Sequence, residues 1–172
     1  AMADSDDNLT TNLVLSGAAR LNVTGADNVH SQGNGNQCSL IFAHYQGVAN
    51  VTVRDNAALI AEKADAVMTV SGTSTLTIED NAEVRVKGLT AHKGREVCQA
   101  TVNLIGGKLI MGSTGIRGYD SHDNAALTAN KMLTFNLNGG TLGALTGVVS
   151  LGADAATANS TAAWVFLPFI KA

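Results

Sequence analysis

Aromatic residues, proline and charge are all scarce in this chain. Phe, Trp and Tyr make up 4% of its 172 residues, which excludes an aromatic core and leaves aliphatic side chains to build any interior. Proline occurs once, at Pro168. Charged residues reach only 15%, against about 25% in an ordinary globular chain. The formal net charge is −3 and the basic residues are scattered, apart from the small group at Lys93 and Arg95. That balance excludes the electrostatic footprint of a nucleic-acid binder. No apolar run approaches the ~20 residues that span a bilayer as a helix. Two cysteines, Cys38 and Cys98, permit one disulfide and equally permit two buried thiols. The opening "AMADSDDNLT" is polar and acidic, as expected of a mature chain whose export signal has been removed, with Ala1 and Met2 read as cloning residues.

What is present points one way. Hydrophobic residues make up 45%, glycine occurs 18 times, and Thr, Asn, Ala and Gly dominate the remainder. Such a composition favours strands and tight corners over helices. The length suits one domain with a substantial core.

The strongest signal is internal repetition. "NLVLSGAARLNVTG" begins at Asn12, "NVTVRDNAALIAEK" at Asn50, "TLTIEDNAEVRVKG" at Thr75, "TVNLIGGKLIMG" at Thr101 and "TFNLNGGTLGALTG" at Thr134. Each copy carries apolar residues at its second and fourth positions, turns through Gly or Asp, and resumes a second apolar alternation. The inward pairs are Leu13 and Leu15, Val51 and Val53, Leu76 and Ile78, Val102 and Leu104, and Phe135 and Leu137. The second half-strands begin at Leu21, Leu59, Val84, Leu109 and Leu142. The starts lie 38, 25, 26 and 33 residues apart, which indicates a unit of about 25 residues with inserted loops.

Apolar spacing of two excludes a helix. A lone two-stranded unit is marginal and buries one face only. Copies therefore have to stack, with equivalent strands in parallel ~4.8 Å apart. Third strands are expected at "SLIFAH" (39–44), "VMTV" (67–70) and "EVCQA" (96–100). The expectation is an all-β, single-stranded right-handed parallel β-helix (a β-solenoid) of about five coils, its hand following the usual parallel crossover. Residues 1–11 form a polar N-terminal cap, 12–152 the coils, and 153–172 a C-terminal cap or a truncated further coil. Ser16-Gly17, Asp55-Asn56, Glu79-Asp80, Gly106-Gly107 and Gly139-Gly140 fall at equivalent corners, where Gly, Asn and Asp tolerate positive φ. Stacked amides such as Asn56 and Asn81 are expected to bond along the axis.

"LTFNLNGGTLGALTG" and "VNLIGGKLIMG" resemble the Gly-Gly-x-Leu strand repeats of autotransporter-type passenger domains, over most of residues 12–152. The resemblance implies a right-handed β-helix, export, an extracellular or bacterial cell-surface location, and an adhesin-like or stalk role without catalysis. The first three copies depart from it by lacking the double glycine, and no membrane barrel is evident.

Chemistry is expected in the inserted loops, since the repeats themselves are scaffold. Those loops are residues 25–37, 88–96 and 112–131, and they hold His30, His92 and His122. The densest polar group is "RGYDSHD": Arg117, Tyr119, Asp120, His122 and Asp123. Asp120, His122 and Asp123 make a mixed carboxylate–imidazole set that suits a metal. The same group suits a sugar, with Tyr119 as platform. It is equally an ordinary solvated turn. His92, Lys93, Arg95 and His30 complete the loop-side candidates. No catalytic residue is nominated and no cofactor is implied by the main reading. The alternative, a carbohydrate-binding or polysaccharide-cleaving β-helix, would use the loop side and could take calcium. Arg20, Glu83 and Lys108 share a column that Ala58 and Thr141 interrupt, and its mixed signs read as a solvated face. The Thr-rich run Thr73, Thr75 and Thr77 resembles a flat ice-binding face, with the alternation not carried from copy to copy. Expected partners are an extracellular glycan or a host-surface protein. The tail "AAWVFLPFIKA" is expected to cap the last coil or to dock on a second copy.

Overall fold

Period-two alternation of aliphatic and polar residues yields strands throughout the described residues, among which no helix occurs. The computed structural model describes residues 2–5, 9–25, 40–70, 72–93, 99–120, 133–146, 149–152, 163–166 and 170–171. The strands are β1 Ala3–Ser5, β2 Thr10–Leu15, β3 Arg20–Asn22, β4 Leu40–Tyr45, β5 Val48–Val53, β6 Ala58–Val70, β7 Thr73–Ile78 and β8 Glu83–Lys93. They continue as β9 Gln99–Leu104, β10 Lys108–Asp120, β11 Leu133–Leu137, β12 Thr141–Ala144, β13 Val149–Gly152, β14 Ala163–Phe166 and β15 Ile170–Lys171.

These strands make two open sheets. The six-stranded sheet runs β15-β11-β9-β7-β5-β2. The nine-stranded sheet runs β1-β4-β6-β8-β10-β14-β13, with β3 on β6 and β12 on β10. From β4 to β12 the chain passes from one sheet to the other at each step, so strands adjacent in a sheet are never consecutive in sequence. Every pairing among the described residues is parallel.

The register follows the repeat. Leu13, Val51, Leu76, Val102 and Phe135 fall in one rank, and Leu15, Val53, Ile78, Leu104 and Leu137 in another. Across the corner Leu21, Leu59, Val84, Leu109 and Leu142 form a third. Central members of all three ranks are fully buried, and both sheets contribute to one aliphatic core. The terminal members Leu13, Leu15, Leu21, Leu137 and Leu142 are only half-buried, because each has a neighbouring copy on one side. Among the described residues the core aromatics are Phe42 and Phe135.

The outward positions of the six-stranded sheet also hold register. Asn12, Asn50, Thr75, Thr101 and Thr134 align, as do Val14, Thr52, Thr77, Asn103 and Asn136. The outward ranks therefore hold register across copies, although threonine itself gives way to asparagine and, at Val14, to valine. Side chains bond from strand to strand along these ranks: Asn50 donates to Asn12 Oδ1 at 2.9 Å, and Asn136 to Asn103 Oδ1 at 2.8 Å. Asn103 in turn donates to Thr77 Oγ1 at 3.4 Å.

The corner between the two sheets comes in two lengths. In the first three copies four residues separate the ranks (16–19, 54–57 and 79–82), and in the last two only three (105–107 and 138–140). At the four-residue corner the left-handed position is Gly17, Asp55 or Asp80, with φ of 63°, 60° and 54°. Carboxylates supply the axial bonds there: Asp55 Oδ2 accepts the Gly17 N–H at 2.7 Å, and Asp80 Oδ2 accepts the Asp55 N–H at 3.0 Å. The ladder expected of Asn56 and Asn81 is thus carried at this corner by the aspartates one residue earlier.

The Asp80 carboxylate holds the corner of the preceding copy through the Asp55 N–H, while its own backbone sits at positive φ. Asp80→Ala is expected to lower stability by about 1–2 kcal/mol, since it removes a charge-assisted acceptor and leaves a plain L-residue at positive φ. Asp80→Gly relaxes the backbone while losing the same bond, and should cost less. Urea midpoints of the two variants measure the difference, and an Asp80→Gly variant weaker than Asp80→Ala would contradict the account.

Three expectations are corrected. Residues 88–93 and 112–120, read as parts of loops, are the second halves of β8 and β10. The third strand of the Thr75 copy is therefore Gly88–Lys93, while residues 99–100 open β9. The third strands expected at 39–44 and 67–70 are present as β4 and the end of β6, whereas the one at 88–93 is hidden in sequence by burial without alternation at residues 88–91. Strands covered on both faces lose the period-two signal. Cys38 and Cys98 lie outside the described residues.

The tail adds strands to both sheets. Val165 of β14 registers with Ile116 of β10, and Ile170 of β15 with Phe135 of β11.

Candidate functional site

The nominated polar residues sit on strands. Arg117, Tyr119 and Asp120 lie on β10, and His92 and Lys93 on β8. His30, Arg95, His122 and Asp123 lie outside the described residues. The proposed Asp120–His122–Asp123 ligand set is therefore described only at the Asp120 backbone.

Strand register brings two of the sequence-separate groups together. Tyr119 pairs with His92 and Asp120 pairs with Lys93, while Arg117 pairs with Thr90. The same rank continues from His92 to Val70, from Val70 to His44, and from His44 to Asp4. One end of the nine-stranded sheet thus aligns imidazole, phenol and carboxylate bearers drawn from four strands. His44 and Tyr45, at the end of β4, are not among the loop-side candidates that the sequence offers. Their membership was signalled only by the third strand "SLIFAH", whose offset from its neighbours the sequence does not display.

Two features make this alignment. β4, β6, β8 and β10 pair in parallel through their C-terminal halves. Between the halves, residues 62–64 of β6 and 112–114 of β10 each stand opposite Lys87 alone. That irregularity resets the register, so Gly88 rather than a residue further on meets Asp65 and Gly115. At the end of β4, Tyr45 has φ 50° and is 48% exposed, and its ring lies 4.1 Å from that of His44, tilted by 57°.

A second polar group lies across the corner. Arg20, Ala58, Glu83, Lys108 and Thr141 share a rank, as the repeat alignment predicts. Beside it Arg85 pairs with Glu62 and with Glu83, the latter at 3.1 Å. The hydrogen bond to Glu62 and then that to Glu83 hold the Arg85 guanidinium above its ordinary value. Both carboxylates of this group are committed to the cation, so it reads as a surface ion network and not as an acid–base pair. Among the described residues no group of three or more His, Cys, Asp or Glu gathers to hold a metal.

The backbone register thus collects Asp4, His44, His92 and Tyr119 in one rank, residue types that hydrogen-bond polar ligands. Compared with protein-family models, curated proteins and solved structures, the chain matches none.

Proposed function

We propose that this chain is a right-handed parallel β-solenoid of about five coils. It serves as a non-enzymatic scaffold module of autotransporter-passenger type, exposed on a bacterial surface or secreted. Its work is contact with an extracellular glycan or a host-surface protein, or the spacing of such a contact from the cell as a stalk.

The observation that carries this reading is the shared register of five sequence copies, with Leu15, Val53, Ile78, Leu104 and Leu137 in one rank. A repeat that spends its inward positions on one aliphatic file is built for rigidity and length. The Gly-Gly-x-Leu repeats at residues 104–109 and 137–142 support the family reading.

A carbohydrate-binding or carbohydrate-cleaving role at the polar end of the nine-stranded sheet is the second reading. It is favoured by the pairing of Tyr119 with His92 and of Asp120 with Lys93. One experiment separates the two. The chain is incubated with a panel of polysaccharides, with and without calcium, and in parallel applied to host-cell surfaces. The expected result is retention without release of reducing or unsaturated sugar ends. Turnover that Asp120→Ala abolishes would overturn the non-enzymatic reading.

A further inference from the structure

Five of the six strands of the six-stranded sheet carry no charged residue at their outward positions, and Lys171 of the edge strand β15 shares a rank with Asn136. Across β2, β5, β7, β9 and β11 the outward positions are Thr, Asn, Gln and Val only. The charges of the repeats are placed on the nine-stranded sheet and at the corners instead, as at Arg20, Glu62, Glu83, Arg85 and Lys108. Strand propensity accounts for threonine, but it does not account for the exclusion of Lys and Glu from so many solvent-facing positions.

Geometry adds a second property. The pairings β2–β5, β5–β7, β7–β9 and β9–β11 run without a register shift, whereas β6–β8 and β8–β10 are interrupted. Hydroxyls and amides therefore recur in two directions, about 4.8 Å from strand to strand and about 6.6 Å between alternate residues along a strand. The Asn50–Asn12, Asn103–Thr77 and Asn136–Asn103 bonds hold side chains in place before any ligand arrives. Ordered side chains lose less freedom on binding. Each bonded amide retains a further donor and acceptor for an outside group.

These properties select the occupant. A polyanion would gain little, because no cation stands at the outward positions of β2, β5, β7, β9 and β11 to answer its charge. An apolar protein patch would bury hydroxyls and amides without partners, which disfavours it. A neutral polymer with hydroxyls at short regular intervals can satisfy one strand after another. We propose that this face, Thr75, Thr77, Thr101 and Asn103 at its centre, binds an extended neutral polysaccharide laid across the strands. The inference rests on the surface-contact reading above and names its ligand class.

The test uses the whole chain and its depletion from solution by microcrystalline cellulose, by chitin and by curdlan, with polygalacturonate gel as the acidic comparison. Depletion is expected on at least one neutral polymer and not on polygalacturonate. Thr77→Lys/Thr101→Lys should lower that retention at least tenfold, while Lys108→Ala on the other sheet leaves it unchanged. Circular dichroism and the urea midpoint establish that each variant is folded, and Thr73→Lys supplies a milder version at an exposed edge position. Equal retention of the double-lysine variant would overturn the face assignment while leaving the surface-contact reading intact. No retention on any neutral polymer would also overturn the inference, as would faceting of ice crystals without polysaccharide binding, which would make ordered water the occupant. Release of sugar ends would overturn the surface-contact reading itself.

Discussion

Ile78→Ala is expected to lower stability by about 2–5 kcal/mol, the range for truncating a fully buried aliphatic side chain whose surroundings relax only in part. Ile78 is fully buried, with Val53 on one side of its rank and Leu104 on the other. Its neighbours are tied by strand pairing and cannot close on the void without breaking register, so the upper half of the range is expected. Such a loss is a large share of the few kcal/mol by which a domain of this size is stable. Val14→Ala provides the comparison. Val14 is outward and 52% exposed, and its truncation should change stability by no more than about 0.5 kcal/mol. Thermal and urea unfolding followed by far-ultraviolet circular dichroism measure both. Equal effects at the two positions would mean that the file of Leu15, Val53, Ile78, Leu104 and Leu137 is not the organising core.

The second large effect is expected at Gly107. Gly107 and Gly17 have nearly the same left-handed backbone, with φ of 64° and 63°, yet their surroundings differ. A Cβ on Gly17 would meet nothing within 4 Å, whereas one on Gly107 would sit 2.3 Å from the carbonyl oxygen of Ala82. Gly17→Ala should therefore cost only the backbone penalty, about 1–2 kcal/mol. Gly107→Ala adds a clash with main chain that cannot rotate away, and a loss beyond about 4 kcal/mol is expected. Urea midpoints of the two variants decide the matter, and similar losses would sink the explanation.

Corner length accounts for the unequal spelling of the repeats. A three-residue corner draws its chain against the preceding copy, so Gly106-Gly107 and Gly139-Gly140 are required: Cβ atoms there would lie 2.3–2.9 Å from backbone of the copy before. A four-residue corner leaves room, and Asp55 and Asp80 take the left-handed position and use their carboxylates as acceptors. Absence of the double glycine from the first three copies is a change of corner length within one repeat.

How far the candidate site could be read in advance differs from residue to residue. Arg117, Tyr119, Asp120, His92 and Lys93 stand out by composition alone, but in sequence they look like loops. Gly88, Gly112, Gly115 and Gly118 break the apolar alternation, and burial on both faces removes what remains of it. Nothing in the spacing between His92 and Tyr119 indicates that they are neighbours, because three residues of β10 stand opposite one of β8 between them. The threonine face was seen only at Thr73, Thr75 and Thr77, since its continuation is written partly in asparagine.

By itself the sequence determined the all-β character, the parallel equivalence of the five copies and the identity of the inward ranks. Those follow from local rules: side chains alternate with a period of two, and each copy repeats the same apolar pair at the same offset from its corner. Tertiary structure decided which corners tolerate a side chain, where strands run on through glycine, and which polar residues from distant segments share a rank. Each of these depends on the distance between one copy and the next, a quantity set by the packing of whole strands and invisible to any local pattern.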